Sequence, residues 1–74
     1  MQSDPVNNPA HYTAGNIECI DAIKEALGPE QFKGFLRGNV VKYLWRVEHK
    51  HNPLQDAQKA SWYLDRLIKE YGNV

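Results

Sequence analysis

The chain has 74 residues, nine Lys and Arg against nine Asp and Glu, with 42% hydrophobic and 24% charged side chains. That length holds a single domain, and one this small buries only about 60% of the surface its unfolded chain exposes, so association with further copies is an expected way to cover apolar area. Balanced charge excludes a protein that coats polyanions, which needs a large positive excess. Apolar runs of only a few residues leave no membrane-spanning helix or signal-peptide core. The single cysteine, Cys19, excludes an internal disulfide and a cysteine-based zinc site and fits a reducing cytoplasm.

Residues 1–16 are polar, carry Pro5, Pro9 and Gly15, and read as an extended arm with His11 and Tyr12 near its end. Residues 17–72 read as a single all-α domain of three to four helices. The first is expected over Ile17–Leu27, where Ile17, Ile20, Ile23 and Leu27 form an apolar stripe widened by Cys19, Ala22 and Ala26, and Asn16 is the N-cap candidate. Gly28–Pro29 ends it. A short helix is expected over residues 30–37, its apolar face made of Phe32, Phe35 and Leu36, followed by a break at Gly38–Asn39 with Asn39 as the next N-cap candidate. The next helix runs from Val40 to about Lys50 with Val40, Val41, Leu44 and Val47 as its buried stripe and Trp45 at the edge. Asn52 caps the last helix and Pro53 fits its first turn. That helix extends to about Tyr71, with Leu54, Ala57, Ser61, Leu64, Ile68 and Tyr71 at helical spacing and Gly72 after its end. The two longest helices, joined by a tight turn, are expected to form an antiparallel hairpin.

Charge is distributed unevenly along this plan. Residues 1–32 hold five acids against Lys24, residues 33–50 hold Lys33, Arg37, Lys42, Arg46 and Lys50 against Glu48, and the remainder is balanced. An acidic first third and a basic middle can neutralise one another, and the basic middle can equally present an anion site.

Asn39, Lys42, Arg46 and His49 follow one another at intervals of three, four and three, with Lys50 continuing the row. On a helix that spacing places them along one face. Arginine offers a planar fork to phosphate oxygens and lysine a compact charge, so the row suits a phosphate; it also fits a solvated basic face. On the last helix, Lys59, Trp62, Tyr63 and Arg66 form a matching set. In a hairpin, Lys59 and Arg66 face Lys42 and Arg46 across a groove lined by Tyr43, Trp45, Trp62 and Tyr63. Cations interleaved with flat rings hold a nucleotide, the rings stacking on the base, although Trp and Tyr at this spacing also serve as core or subunit contacts. Glu18, Asp21 and Glu25 share a helix face; carboxylates so placed can hold Mg²⁺ or simply remain solvated. His49 and His51 point apart on a helix end, and no metal site is expected there. Cys19 reads as a core residue. No glycine-rich phosphate loop and no nucleophile triad is present.

The segments V-N-N-P-A-H-Y (6–12), G-N-I-E-C-I-D (15–21), G-N-V-V-K-Y-L-W-R (38–46), H-K (49–50) and K-A-S-W-Y-L (59–64) resemble a family of short phage and prophage proteins described as a domain of unknown function. Some longer members are labelled nucleotide kinases, as in the T7-type phages, whose enzyme lacks a P-loop. The resemblance spans about residues 6–68. It implies a protein of an infected or lysogenic bacterium's cytoplasm, and it carries His11, Tyr12, Asn39, Lys42, Tyr43, Arg46, Lys50, Lys59 and Tyr63 as motif residues. The expected function is binding of a nucleotide or other phosphorylated small ligand by a homo-oligomer. Asn39, Lys42, Arg46, Lys50, Lys59 and Arg66 are expected on phosphate, and His11, Tyr12, Tyr43, Trp62 and Tyr63 on the base or as a closing arm. Three alternatives stand beside it. One is a kinase using Mg²⁺ and ATP, with Asp21, Glu18 or Asp56 near the metal and His11 or His49 moving protons. Another is a non-catalytic sponge for a nucleotide signal of host defence. The third is a helical module for a host protein. Long nucleic acid is not an expected partner, because the last helix carries no net positive charge.

Overall fold

The computed structural model describes residues 13–14, 17–49 and 51–72. The remainder of the N-terminal arm, including His11, Tyr12 and the Asn16 cap, and Lys50 lie outside the described residues. Two elements dominate: α1 (Cys19–Arg46) and α2 (Pro53–Gly72). Ahead of them, β1 (Thr13–Ala14) and β2 (Ile17–Glu18) form a short antiparallel pair, Thr13 opposite Glu18 and Ala14 opposite Ile17. The first helix therefore begins two residues later than its apolar pattern suggests, because Ile17 and Glu18 are extended. Glu18, at the N-cap, has φ −73° and ψ 148° and makes no side-chain cap hydrogen bond.

At Gly28 α1 leaves helical geometry, with φ 80° and ψ 165°, a backbone region open essentially to glycine alone. Pro29, with φ already set for a first helical turn, starts the second part. The expected break at Gly38–Asn39 does not form, and the segments expected as two helices are continuous. Asn39 does not cap a new helix; its Nδ2 donates to the Phe35 carbonyl oxygen at 2.9 Å, the i−4 bond open to asparagine inside a helix. The helix ends at Arg46, short of Lys50, in a turn over Val47–His49, where His49 N donates to the Arg46 carbonyl at 2.9 Å. Asn52 then caps α2, its Oδ1 accepting from Gln55 N at 3.0 Å.

The helices pack with their contacts in reverse order: Lys24 with Glu70, Phe35 with Tyr63, Arg46 with Asp56. The apolar core between them is small. Phe32 and Leu36 are fully buried and Ala60 nearly so; the two large side chains contribute about 1.5–3 kcal/mol each. Flanking them on the inner faces are polar and aromatic groups, with Asp56 and Glu70 both buried.

Two expected apolar stripes are turned largely outward instead. On α1, Val40 and Val47 are half-buried, but Val41 is 59% exposed, Leu44 57% and Trp45 74%, because Asn39, Tyr43 and Arg46 occupy the side facing α2. On α2, Leu54, Leu64, Ile68 and Tyr71 are exposed, as are Ala57 and Ser61. The face that α2 presents to α1 is a second 3–4 series of Asp56, Lys59, Tyr63, Arg66 and Glu70, with Ala60 allowing close approach. Ion pairs and ring contacts fix that orientation, so the apolar series is left outside. Cys19 is half-buried rather than a core residue.

Candidate functional site

Tyr43 lies at the centre of the basic segment. It projects from α1 three residues before Arg46 and one after Lys42, and its ring stacks on Tyr63 of α2 with centroids 5.8 Å apart and planes inclined by 12°. Three cationic groups surround this ring: Lys42 Nζ at 4.5 Å from its centroid, Lys59 Nζ at 5.4 Å and Arg46 Cζ at 5.5 Å. The ring quadrupole attracts each of them, while the cations repel one another. Tyr63 is braced by Trp62, edge-on at 5.0 Å, and by Phe35, edge-on at 6.3 Å.

The opposing charge is Asp56, 3% exposed, whose Oδ1 lies 3.7 Å from Arg46 Nε. That distance exceeds hydrogen-bond reach. Arg46 Nε is buried and has no hydrogen-bond partner among the described residues, although the side chain as a whole is 40% exposed. Among the described residues, Asp56 is the one carboxylate paired with a cation of this cluster, through Arg46, and the Arg46 Nε N–H is left unsatisfied. Sequence spacing did not place Asp56 inside. Its signal is its position three residues before Lys59 and seven before Tyr63 on the series that faces α1.

Arg66 belongs to a separate cluster, seven residues or about 10 Å of helix rise from Lys59. Its Nη2 donates to Asp21 Oδ1 at 2.8 Å, its Nε to Glu70 Oε2 at 3.1 Å, and its guanidinium lies over Phe32 at 5.4 Å. Lys24 Nζ completes the set at 2.8 Å from Glu70 Oε1. Burial alone would lower the Arg66 pKa, but the hydrogen bonds it donates to Asp21 and Glu70 outweigh that and hold the pKa above its ordinary value. The hydrogen bond from Lys24, working against burial and joined by that from Arg66, holds the Glu70 carboxyl below its ordinary value. These groups neutralise one another and tie the first part of α1 to the end of α2.

Of the expected phosphate set, the structure brings Lys42, Arg46 and Lys59 together, with Asn39 on the same side of α1 and bonded to its own helix. Arg66 stands apart. Tyr43, Tyr63 and Trp62 form the aromatic wall, whereas Trp45 faces away and lies 6.1 Å from the His49 ring. Asp21 is engaged by Arg66, and Glu25 is exposed. No three metal-ligating side chains converge among the described residues. No described helix is long and apolar enough to cross a membrane.

Comparison with known proteins places this geometry in context. Residues 6–65 match the model of the DUF3310 family, described as a protein of unknown function. The chain is 33% identical over 76 residues to the Gene 1.7 protein of Enterobacteria phage T3, covering 97% of this chain and 46% of that protein. It is 37% identical over 68 residues to the nucleotide kinase gp1.7 of Escherichia phage T7, covering 86% of this chain and 35% of that one. The chain spans less than half the length of these curated relatives. No solved structure matches. A match over residues 6–65, which includes the Tyr43 cluster and all its cations, means that the chain belongs to the DUF3310 family of phage-type proteins.

Proposed function

We propose that the chain binds a nucleotide or another phosphorylated small ligand at the Lys42–Arg46–Lys59 cluster. The observation that carries this reading is the local charge imbalance among the described residues: three cationic groups around the Tyr43 ring answered there by Asp56, with the Arg46 Nε buried and without a hydrogen-bond partner among them. A phosphate would relieve the repulsion and accept from that N–H. The wall of Tyr43, Tyr63 and Trp62 gives a base a surface to stack on. Arg66, already engaged by two carboxylates, serves the fold in this reading rather than the ligand.

The T7 relative, named a nucleotide kinase, supports a nucleotide over other phosphorylated ligands. Calorimetric titration of the chain with mono-, tri- and cyclic nucleotides tests the proposal: binding that Lys42→Ala and Lys59→Ala each weaken about tenfold supports it, and no binding across the panel overturns it. Phosphoryl transfer is a separate question for the same site. Incubation with a deoxynucleoside monophosphate, ATP and Mg²⁺ supports a kinase if a diphosphate forms and Lys42→Ala abolishes it, whereas tight binding without turnover supports a sequestering role.

A further inference from the structure

The outward side of α1 carries more than an apolar patch. Arg37, Val41, Leu44 and Glu48 succeed one another at intervals of four, three and four, the spacing of a helix–helix seam. All four are exposed. Val47 keeps helical dihedrals, φ −52° and ψ −39°, so Glu48 follows directly on the helix line, within the turn closed by the i→i−3 bonds of Val47 N and His49 N. The stripe has a base at one end, an acid at the other and two aliphatic side chains between. Neither Arg37 nor Glu48 makes an ion pair among the described residues.

This stripe is complementary to itself read backwards. We propose that it is the interface with a second copy of this chain, the two α1 helices crossing antiparallel about a twofold axis. In that register Arg37 of each copy lies opposite Glu48 of the other, and Val41 opposite Leu44, each pair occurring twice. An isologous contact requires such self-complementarity; a parallel pairing of the same stripe would set Arg37 against Arg37 and Glu48 against Glu48.

A second feature fits the same register. Trp45, 74% exposed, flanks the stripe on the side that also carries Gly34 and Gly38. In that register Trp45 is level with Val40 of the antiparallel partner, and the partner's Gly38 lies on the same flank two residues, about 3 Å of helix rise, further along. A Cβ built at Gly38 or Gly34 would meet nothing within 4 Å, so packing within one chain does not call for glycine at either position. Each costs the helix stability relative to alanine. An indole seated over the partner's glycine gives that cost a purpose.

Sedimentation equilibrium of the chain and its variants, with circular dichroism confirming helix content, tests the proposal. A wild-type chain that stays monomeric at about 100 μM overturns it. Arg37→Glu and Glu48→Arg each place like charges opposite one another twice and are expected to weaken association about tenfold or more, and the double variant in one chain is expected to restore it. Absence of that restoration overturns the register. Val41→Glu is expected to give monomers. If Ile68→Glu on α2 gives monomers and Val41→Glu does not, the seam lies on the other helix and the proposal fails. Gly38→Leu is expected to raise the melting temperature of the dilute monomer while weakening the dimer; strengthening of both overturns the packing of Trp45. In a Cys19→Ser background, a chain with Arg37→Cys mixed with one carrying Glu48→Cys is expected to form the mixed disulfide in preference to either symmetric one.

Discussion

Asp56 is the internal counter-anion of the cation cluster, and replacing it separates fold from binding. In Asp56→Asn the side-chain shape is kept and one negative charge is lost. At 3.7 Å from Arg46 Nε, a full charge pair in an effective dielectric of about 20 attracts by about 4 kcal/mol. Two effects reduce the net loss. The Arg46 side chain is 40% exposed, so solvent screens the pair, and the carboxylate no longer bears the cost of its own burial. A destabilisation of about 1–2 kcal/mol remains, measurable by urea unfolding. The same substitution removes the carboxylate that, among the described residues, pairs with this cluster through Arg46, so a phosphate no longer competes with it. Affinity for inorganic phosphate or for a nucleotide is expected to rise severalfold as stability falls. The two measurements must move in opposite directions. If Asp56→Asn weakens anion binding in a fully folded sample, Asp56 contacts the ligand and the counter-anion reasoning is wrong.

Three further outcomes are expected. The Glu70 carboxyl is held below its ordinary pKa by Lys24 and Arg66, so the unfolded chain takes up the proton first as pH falls. Its contribution is present above the ordinary carboxylate value of about 4 and is lost as pH drops through the lower folded value; Glu70→Gln should flatten the acid limb of a stability-against-pH curve, and an unchanged limb would count against it. At Gly28, φ 80° and ψ 165° with open space around a built Cβ make Gly28→Ala a purely backbone perturbation costing about 1–3 kcal/mol, read as a lower midpoint in urea. Phe32→Ala removes one of two fully buried large side chains, at about 3–5 kcal/mol, and is expected to leave little folded chain at 37 °C by circular dichroism.

Local signals in the sequence were readable where the structure depends on neighbours in the chain. Asn52 capping and Pro53 opening α2, and the interruption at Gly28–Pro29, are of this kind. Asn39 shows the limit: the residue type that favours an N-cap also bonds the carbonyl four residues back, and here the helix runs on through Gly38. The outward stripes show a different limit. Periodicity reports that Leu54, Ala57, Ser61, Leu64, Ile68 and Tyr71 share a face, but α2 carries a second series at the same spacing, and only contacts with α1 decide which is inside. Lys42, Arg46 and Lys59 were legible as a set because each helix spaces them regularly. Arg66 was grouped with them wrongly in space, since its partner Asp21 lies 45 positions away in sequence and no local pattern joins them.

Charged groups held between the helices, with aliphatic ones left outside, also change how the chain should tolerate substitution. In a library of single variants sorted for a folded monomer, depletion should fall on Lys24, Asp56, Arg66 and Glu70 alongside Phe32 and Leu36, while Leu54, Leu64 and Ile68 accept polar residues. A library sorted under conditions that demand assembly should add depletion at Val41, Leu44 and Trp45. The difference between the two maps would divide the molecule by face rather than by chemical class, and hydrophobicity alone would be a poor guide to which positions selection guards.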